Sequence, residues 1–321
     1  MKICVLLGCL AVAAYANTQE QWKHFKQTHQ KSYRSLIEER LRYQIFSANL
    51  EKIEQHNVKF EQGLTTYKQG INQFSDWTEK EFLAFLTLSV PPEKIQSDKF
   101  FESNETIPSE IDWRTKGAVL NWVKNQGACG SCWAFSVAGT LESHNQIKNG
   151  KLISLSEQNL LDCSTSYGNG GCGGGHMSSA FNYVTDHGIM SLEDYPYDWV
   201  QKECRYNQSK VVVNSKGVVF INPNSEEDLL KAVGTVGPVS IGFHSTGNLQ
   251  SYSSGIFTDS TCTKTIMNHG LVVVGYGTEG ETDYWIVRNS WSGDWGEKGY
   301  FRVVRGSNMC GVATSGIYPL L

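Results

Sequence analysis

Apolar and polar positions alternate in two different rhythms along the chain. From Leu36 to Phe60, Leu41, Ile45 and Ile53 recur among charged residues at helical spacing, which predicts a long amphipathic helix; a shorter one is expected over about Thr18 to His29. Ala134, Phe135, Val137, Ala138, Leu141 and Ile147 repeat at the same period, with Gly150 as a stop, predicting a helix over Ser131–Lys148. Two further helices are expected at Ser156–Leu161 and Met177–His187. The second half changes character. Val211–Val213, Val218–Ile221, Val239–Phe243, Leu271–Tyr276, Tyr284–Arg288 and Tyr300–Val304 are short β-branched and aromatic runs divided by Gly, Asn and Asp, and read as strands. Helices first and strands later argue an α+β body of two lobes. Between the first helices and this body, Leu88 to Thr106 carries Pro91-Pro92 and several charges, and reads as an exposed, poorly ordered connection where proteolytic nicking concentrates.

Length and composition add limits. The 321 residues can hold more than one folded unit, and the net charge of −4 gives no case for nucleic acid or an anionic membrane. Residues 1–16 have Lys2, an apolar stretch from Ile3 to Ala14 and the small-residue end Ala14-Tyr15-Ala16, a secretory signal peptide too short to span a bilayer. Two of the nine cysteines, Cys4 and Cys9, leave with it. Cys129, Cys132, Cys163, Cys172, Cys204, Cys262 and Cys310 remain, an odd set for an oxidising compartment, so one thiol stays free or links to another chain. Residues 17–106 contain no cysteine, and this break suggests a removable pro-segment ahead of a stapled body.

Cys132 is the candidate free thiol. It opens a predicted helix, where unpaired N–H groups and the positive dipole end lower a thiol pKa. Alone, Cys129-x-x-Cys132 also fits half a zinc site or a redox motif, but no second ligand pair stands at short spacing and the secretory start disfavours a cytosolic redox protein. A thiolate nucleophile needs a base, and the base an orienting group. Met267-Asn268-His269-Gly270 precedes one predicted strand and Asn289-Ser290-Trp291 ends another, so two adjacent strand ends can present His269 and Asn289 at one rim.

The run Gln126-Gly127-Ala128-Cys129-Gly130-Ser131-Cys132-Trp133, with His269 and Asn289 about 140 and 160 residues beyond Cys132, resembles the papain family of cysteine proteases, specifically a cathepsin L-like zymogen. The pro-segment carries the matching pair of motifs. Glu38, Arg42, Phe46, Asn49, Ile53 and Asn57 lie three or four apart on one helical face, and Gly70-x-Asn72-x-Phe74-x-Asp76 follows. The resemblance implies a helical lobe and an antiparallel, barrel-like β lobe behind a mostly helical pro-segment. It implies a signal peptide at 1–16, an inhibitory propeptide at 17–106 lying through the cleft, and a peptidase domain at 107–321, with cleavage near Ile107, just before Pro108-Ser109-Glu110-Ile111-Asp112-Trp113.

By the same resemblance Cys132 is the nucleophile, His269 the base and acid, and Asn289 its orienting partner, with Gln126 in the oxyanion hole. Trp291 shields the His269–Asn289 bond and Trp295 borders the leaving-group side. Pairings Cys129–Cys172, Cys163–Cys204 and Cys262–Cys310 are implied. Gly174 and Gly175 line the cleft, and Met177, Gly242, Met267 and Ser315 the pocket for a bulky apolar residue two before the scissile bond. His176, Asn268 and Ser292 depart from the family's usual residues, and Trp122 stands where proline is usual. No insertion that blocks the cleft is visible, so an endopeptidase is expected.

Protein substrates, the chain's own propeptide and cystatin-type inhibitors are the implied partners of a monomer in the lysosome or outside the cell. Neither a cofactor nor a metal is implied. Asn104-Glu105-Thr106 and Asn207-Gln208-Ser209 are glycosylation acceptors. Glu38 and Asp76 are expected to be ionised partners whose protonation frees the pro-segment. A silent homologue is disfavoured because all three chemical residues are present, and a transglutaminase-like acyltransferase because the pro-segment motifs match.

Overall fold

The computed structural model describes residues 17–88 and 99–321; the expected signal peptide and Pro91-Pro92 lie outside the described residues. Helix α1, over 17–28, crosses α2 (Leu36–Glu61) through an aromatic cluster, with Trp22 and Phe25 5.2 and 5.0 Å from Phe46. Ser35 caps α2, its hydroxyl accepting from the Glu38 N–H at 3.1 Å. The apolar face differs from expectation. Leu41 is exposed, and Phe46, Leu50 and Ile53 are the buried residues, because α2 packs on α1 and on the chain that follows rather than on a simple leucine stripe.

That following chain explains the polar residues of the stripe. Asn49 Nδ2 donates to the carbonyls of Ser75 and Trp77 at 2.9 and 2.8 Å, and Asn57 exchanges two bonds with the Gln69 backbone at 2.9 Å. Arg42 reaches the Asp76 carbonyl at 3.0 Å and pairs with Glu81. Leucines there would leave backbone groups of an irregular segment unsatisfied. Strand β1 (Tyr67–Gln69) then joins the body's sheet, and α3 (Glu79–Phe85) opens on a capping box between Thr78 and Glu81. Helix α3 was not anticipated: it is only seven residues long and buries just Phe82 and Phe85.

The body begins with β2 (Ile111–Asp112), α4 (Cys132–Asn149), α5 (Glu157–Cys163), α6 (Met177–His187) and the small pair β3 (Ile189–Met190) and β4 (Val211–Val213). These helices enclose one core around Trp133, Leu141, Leu160, Phe181 and Val184. The second lobe follows as β5 (Val218–Phe220), α7 (Glu226–Thr235), β6 (Val239–Phe243), α8 (Gly247–Gln250), β7 (Tyr252–Phe257), β8 (His269–Glu279), β9 (Thr282–Arg288), β10 (Tyr300–Val304) and β11 (Gly316–Pro319). Its sheet runs β1-β7-β10-β9-β8-β6-β11-β5, with β2 added beside β8. Every pairing is antiparallel except β10 with β7. The α+β order of helices then strands is therefore the observed one. Unanticipated are α7, which buries only Leu229, Ala232 and Val233, and the strands β7 and β11, whose Gly, Ser and Pro content hides them.

Most of the connection's described residues are exposed as expected, but it is anchored at Leu88 and Phe101. Leu88 is buried, and Phe101 is buried in the sheet lobe's core while residues 99–101 pair with the edge of β5. An aromatic side chain and free edge N–H and C=O groups supply what polar composition concealed.

Asn49→Ala removes one donor from two carbonyls, a loss of about 1–3 kcal/mol. Thermal unfolding of the zymogen should then show the pro-segment melting earlier, with the body's transition unmoved.

Candidate active site

Cys132 is free, and it is the first residue of α4. Ser131, at the N-cap, makes no capping bond; its hydroxyl pairs with Tyr197 at 2.7 Å, so the helix's first N–H groups stay open to the site. The preceding turn is held by the Cys129–Cys172 disulfide. Helix α4 lies against β8 and β6 through small hydroxyls. Ser136 Oγ donates to the Leu271 carbonyl at 2.6 Å, Ser240 Oγ donates to the Ser136 carbonyl at 3.0 Å, and Thr140 and Ser240 share a 2.7 Å bond. A Cβ on Gly270 would stand 3.1 Å from the Cys132 carbonyl oxygen, so glycine lets β8 approach the helix start. This places His269, the first residue of β8, beside the thiol's own turn.

His269 is fully buried. Its Nε2 donates to Asn289 Oδ1 at 2.8 Å, which assigns the proton to Nε2 and leaves Nδ1 with no hydrogen-bond partner among the described residues. Asn289 Oδ1 also accepts from the Ser290 N–H at 2.8 Å, and the Trp291 ring stacks on the imidazole at 4.8 Å and 21°. Gln126 is buried, with Nε2 donating to the Cys129 carbonyl at 2.9 Å and Oε1 accepting from Ser290 Oγ at 2.6 Å. Ser290 is thus a positioning residue that sequence reading passed over, although it lies inside the Asn-Ser-Trp run that signalled its neighbours. A thiol, an imidazole held from behind and an amide donor are the parts that acyl transfer requires.

The pro-segment covers all of this. Thr87 Oγ1 donates to the Gly130 carbonyl at 2.9 Å, Leu88 N–H donates to the Asn268 carbonyl at 3.0 Å, and Leu88 pairs in parallel with Gly175. Gly174 (φ +115°) must be glycine here, since a Cβ would lie 2.2 Å from the Thr87 carbonyl oxygen. Phe74, Phe82 and Phe85 pack on Trp291 with ring distances of 5.1, 5.5 and 6.3 Å, and Gln73 Nε2 donates to the Trp291 carbonyl at 2.6 Å. Trp295 stands at right angles to Trp291, 4.9 Å away.

Burial changes the electrostatics from those expected of an open helix end. It pushes the Cys132 thiol up to about 11, outweighing the hydrogen bonds from the N–H groups of Gly270, Trp133 and Thr87. It likewise pushes His269 down to about 4 despite the bond to Asn289. The covered pair is therefore neutral thiol and neutral imidazole at pH 7.

Met177 and Met267 share one buried cluster with Leu88. Gly242 donates its N–H to the Ser315 carbonyl at 3.0 Å, and Met267 fills much of the space beside it, 3.1 Å from where a Cβ would be. Of the expected pocket residues, Met177 and Met267 thus share a cluster with a pro-segment leucine, and Gly242 lies against Met267. Cys163 is bonded to Cys204 and Cys262 to Cys310. Asn104 and Asn207 are exposed, and Ser292, where glycine is usual in the family, has φ of 63°. Glu38 is not the partner expected. It accepts the Arg34 N–H at 2.7 Å, while Glu81 takes the ion pair with Arg42 and Asp76 pairs with Lys31 at 2.8 Å and Tyr33 at 2.9 Å. Glu38 serves the first turn of α2 instead, one turn short of that contact.

Residues 107–320 match the papain family cysteine protease and residues 22–82 the cathepsin propeptide inhibitor domain. The chain belongs to the papain family of cysteine proteases. Within it, this is a cathepsin L-like zymogen carrying its inhibitor domain. The cathepsin L-like proteinase of Phaedon cochleariae is 44% identical over 327 residues, covering 100% of both chains. Digestive cysteine proteinase 3 of Homarus americanus is 41% identical, covering 99% of each. The structure of digestive procathepsin L 3 from the larval midgut of Tenebrio molitor superposes with a TM-score of 0.90 at 45% identity, covering 95% of this chain and 99% of that one.

With a thiol near pKa 11, only about 10⁻⁴ of Cys132 is thiolate at pH 7. Iodoacetamide should alkylate the zymogen at least about 100-fold more slowly than the processed enzyme, read by mass spectrometry of the Cys132 peptide.

Proposed function

We propose that the processed chain is a cysteine endopeptidase in which Cys132 is the nucleophile, His269 the general base and acid, Asn289 the group that holds the imidazole, and Gln126 an oxyanion donor. The observation that carries this reading is the buried His269 Nε2–Asn289 bond, which leaves Nδ1 bare beside the α4 start. Nδ1 takes the Cys132 proton as the sulfur attacks a peptide carbonyl. The oxyanion is met by the Cys132 N–H and by a Gln126 Nε2–H, since a primary amide has two donors and the Cys129 carbonyl uses one. The Nδ1–H then protonates the departing amine. Water, giving a proton to Nδ1, attacks the thioester, and Nδ1–H hands that proton to the departing sulfur, restoring the thiol. Trp291 keeps water from the His269–Asn289 bond, and Trp295 supports it on the leaving-group side.

The preference proposed is a bulky apolar residue two before the scissile bond, supported by Leu88 sharing a cluster with Met177 and Met267. The pro-segment, 17–106, is removed by cleavage near Ile107. The leader at 1–16 directs the chain to the secretory route, ending in lysosome or lumen, and Asn207 is the glycan acceptor that stays with the mature enzyme. Cystatin-type inhibitors are proposed to enter the same cleft.

Acid is proposed to release the pro-segment. His29 is held below its usual 6.5 by burial, with Lys31 beside it, against the opposite pull of Asp294 and Asp76, and burial lowers His56 as well. Burial raises Glu81, but bonds from Arg42 and Thr78 outweigh it and hold its carboxyl low. Each depressed pKa gives the docked pro-segment stability that is present above the group's free value and lost as pH falls through its docked one. For the histidines that loss begins below 6.5, and for Glu81 below about 4.5. Protonated, Glu81 then loses Arg42 as an ionic partner.

Gln126→Ala should lower kcat by about 10²–10³, and Cys132→Ala should abolish peptide hydrolysis; normal activity in the second variant defeats the assignment. Zymogen incubated at pH 4 should process faster than at pH 7, and equal rates on a gel time course would remove acid as the trigger.

A further inference from the structure

The last described stretch of the pro-segment is held at a place the catalytic chemistry does not use. Strand β5 ends the sheet, so one row of its N–H and C=O groups faces outward. Residues 99–101 occupy that row. The Phe101 N–H donates to the Phe220 carbonyl at 2.8 Å, the Phe220 N–H donates to the Lys99 carbonyl at 3.1 Å, and Phe100 pairs with Phe220 in parallel. Asn222 Nδ2 donates to the Phe101 carbonyl at 3.2 Å. Phe101 is only 4% exposed, in the same buried cluster as Val219, Ile221 and Tyr318, with the Tyr318 ring edge-on at 6.4 Å. Its neighbours on the C-terminal side, Glu102 and Asn104 to Thr106, are exposed. The contact is therefore a discrete anchor, made of one aromatic side chain and a rung of strand.

Resting on cleavage near Ile107, we propose that this edge is an exosite of the mature enzyme. Maturation removes Lys99–Phe101 and opens a strand edge with an aromatic pocket beside it. That surface takes an extended peptide in parallel register, with an aromatic residue where Phe101 sits, and the resident occupant is the pro-segment's own Lys99–Thr106 stretch. Backbone pairing gives such a site its affinity and the single pocket its selectivity. In the zymogen the anchor acts in series with the Thr87–Leu88 strand in the cleft, so each raises the effective concentration of the other.

Amide hydrogen exchange over residues 218–221 tests this in the full-length zymogen, in zymogen carrying Phe101→Ala, and in processed enzyme whose thiol has been alkylated. The expected order is slow in the zymogen, about 10-fold faster in the variant, and fast in the processed enzyme. A synthetic peptide of residues 99–106, at millimolar concentration, should slow exchange in the processed enzyme again. The same peptide with alanine at the Phe101 position should leave it fast. The peptide arm uses wild-type protein, so it holds even where the variant folds poorly. The N-terminus of the processed chain, read by mass spectrometry, separates the two readings. A start upstream of Lys99 overturns the cleavage point and the exosite with it. A start near Ile107, with exchange unchanged from the zymogen or unaffected by the wild-type peptide, overturns the exosite alone.

Discussion

The clamp between α4 and the start of β8 is the constraint on which the rest of this structure depends. One lobe contributes the thiol and the other the imidazole, and small hydroxyls hold them together, Ser136 tying α4 to β8 and Thr140 and Ser240 tying it to the neighbouring β6. The same interface buries a set of charges. Lys124 holds Glu142 and Glu157 at 2.6 Å each, and Arg288 reaches Glu142 at 3.4 Å and the Trp122 carbonyl at 3.1 Å. Burial raises the Glu157 carboxyl above its ordinary range, with Lys124 opposing. Removing one member of such a group leaves an uncompensated buried charge, so these residues fix the seam more than they stabilise it. Arg288 directly precedes Asn289, which ties the charge cluster to the support of the imidazole.

The pro-segment works on that seam in two ways. It fills the cleft with backbone and with Leu88, and it also dries the site. Drying favours the uncharged forms of both reacting groups, so an ion pair is unavailable while the segment is docked. The docking itself depends on polar side chains of α2. Asn49, Asn57 and Arg42 act as substitutes for a missing strand partner, holding an irregular chain in the shape that presents Phe74, Phe82 and Phe85 to Trp291.

Much of this was legible in the amino-acid order, for reasons that can be stated. Helix α4 carries apolar residues at helical spacing up to Gly150, the strands β4, β6 and β10 are short runs rich in β-branched and aromatic residues, and the proposed catalytic set rests on residue types that rarely share a chain by chance. Local pattern failed where a distant partner decides the outcome. Leu41 is apolar yet exposed, because the face of α2 is chosen by Trp22 and Phe25. Strand β7 contains Gly255 at φ +94°, a bend whose reason is the approach of β1 from the pro-segment. Phe101 lies in a polar stretch and is buried only because β5 has a free edge. The expected low thiol pKa reflected helix position alone, whereas the burial that reverses it outweighs even the N–H bond from Thr87, about 45 residues away in sequence and adjacent in space.

The three cystines divide the molecule in an informative way. Two staple the helical lobe and one the sheet lobe, and none reaches the pro-segment. Inhibition is thus held entirely by contacts that can be undone without electron transfer. Reduction of any cystine therefore breaks no covalent tie between the pro-segment and the cleft it covers.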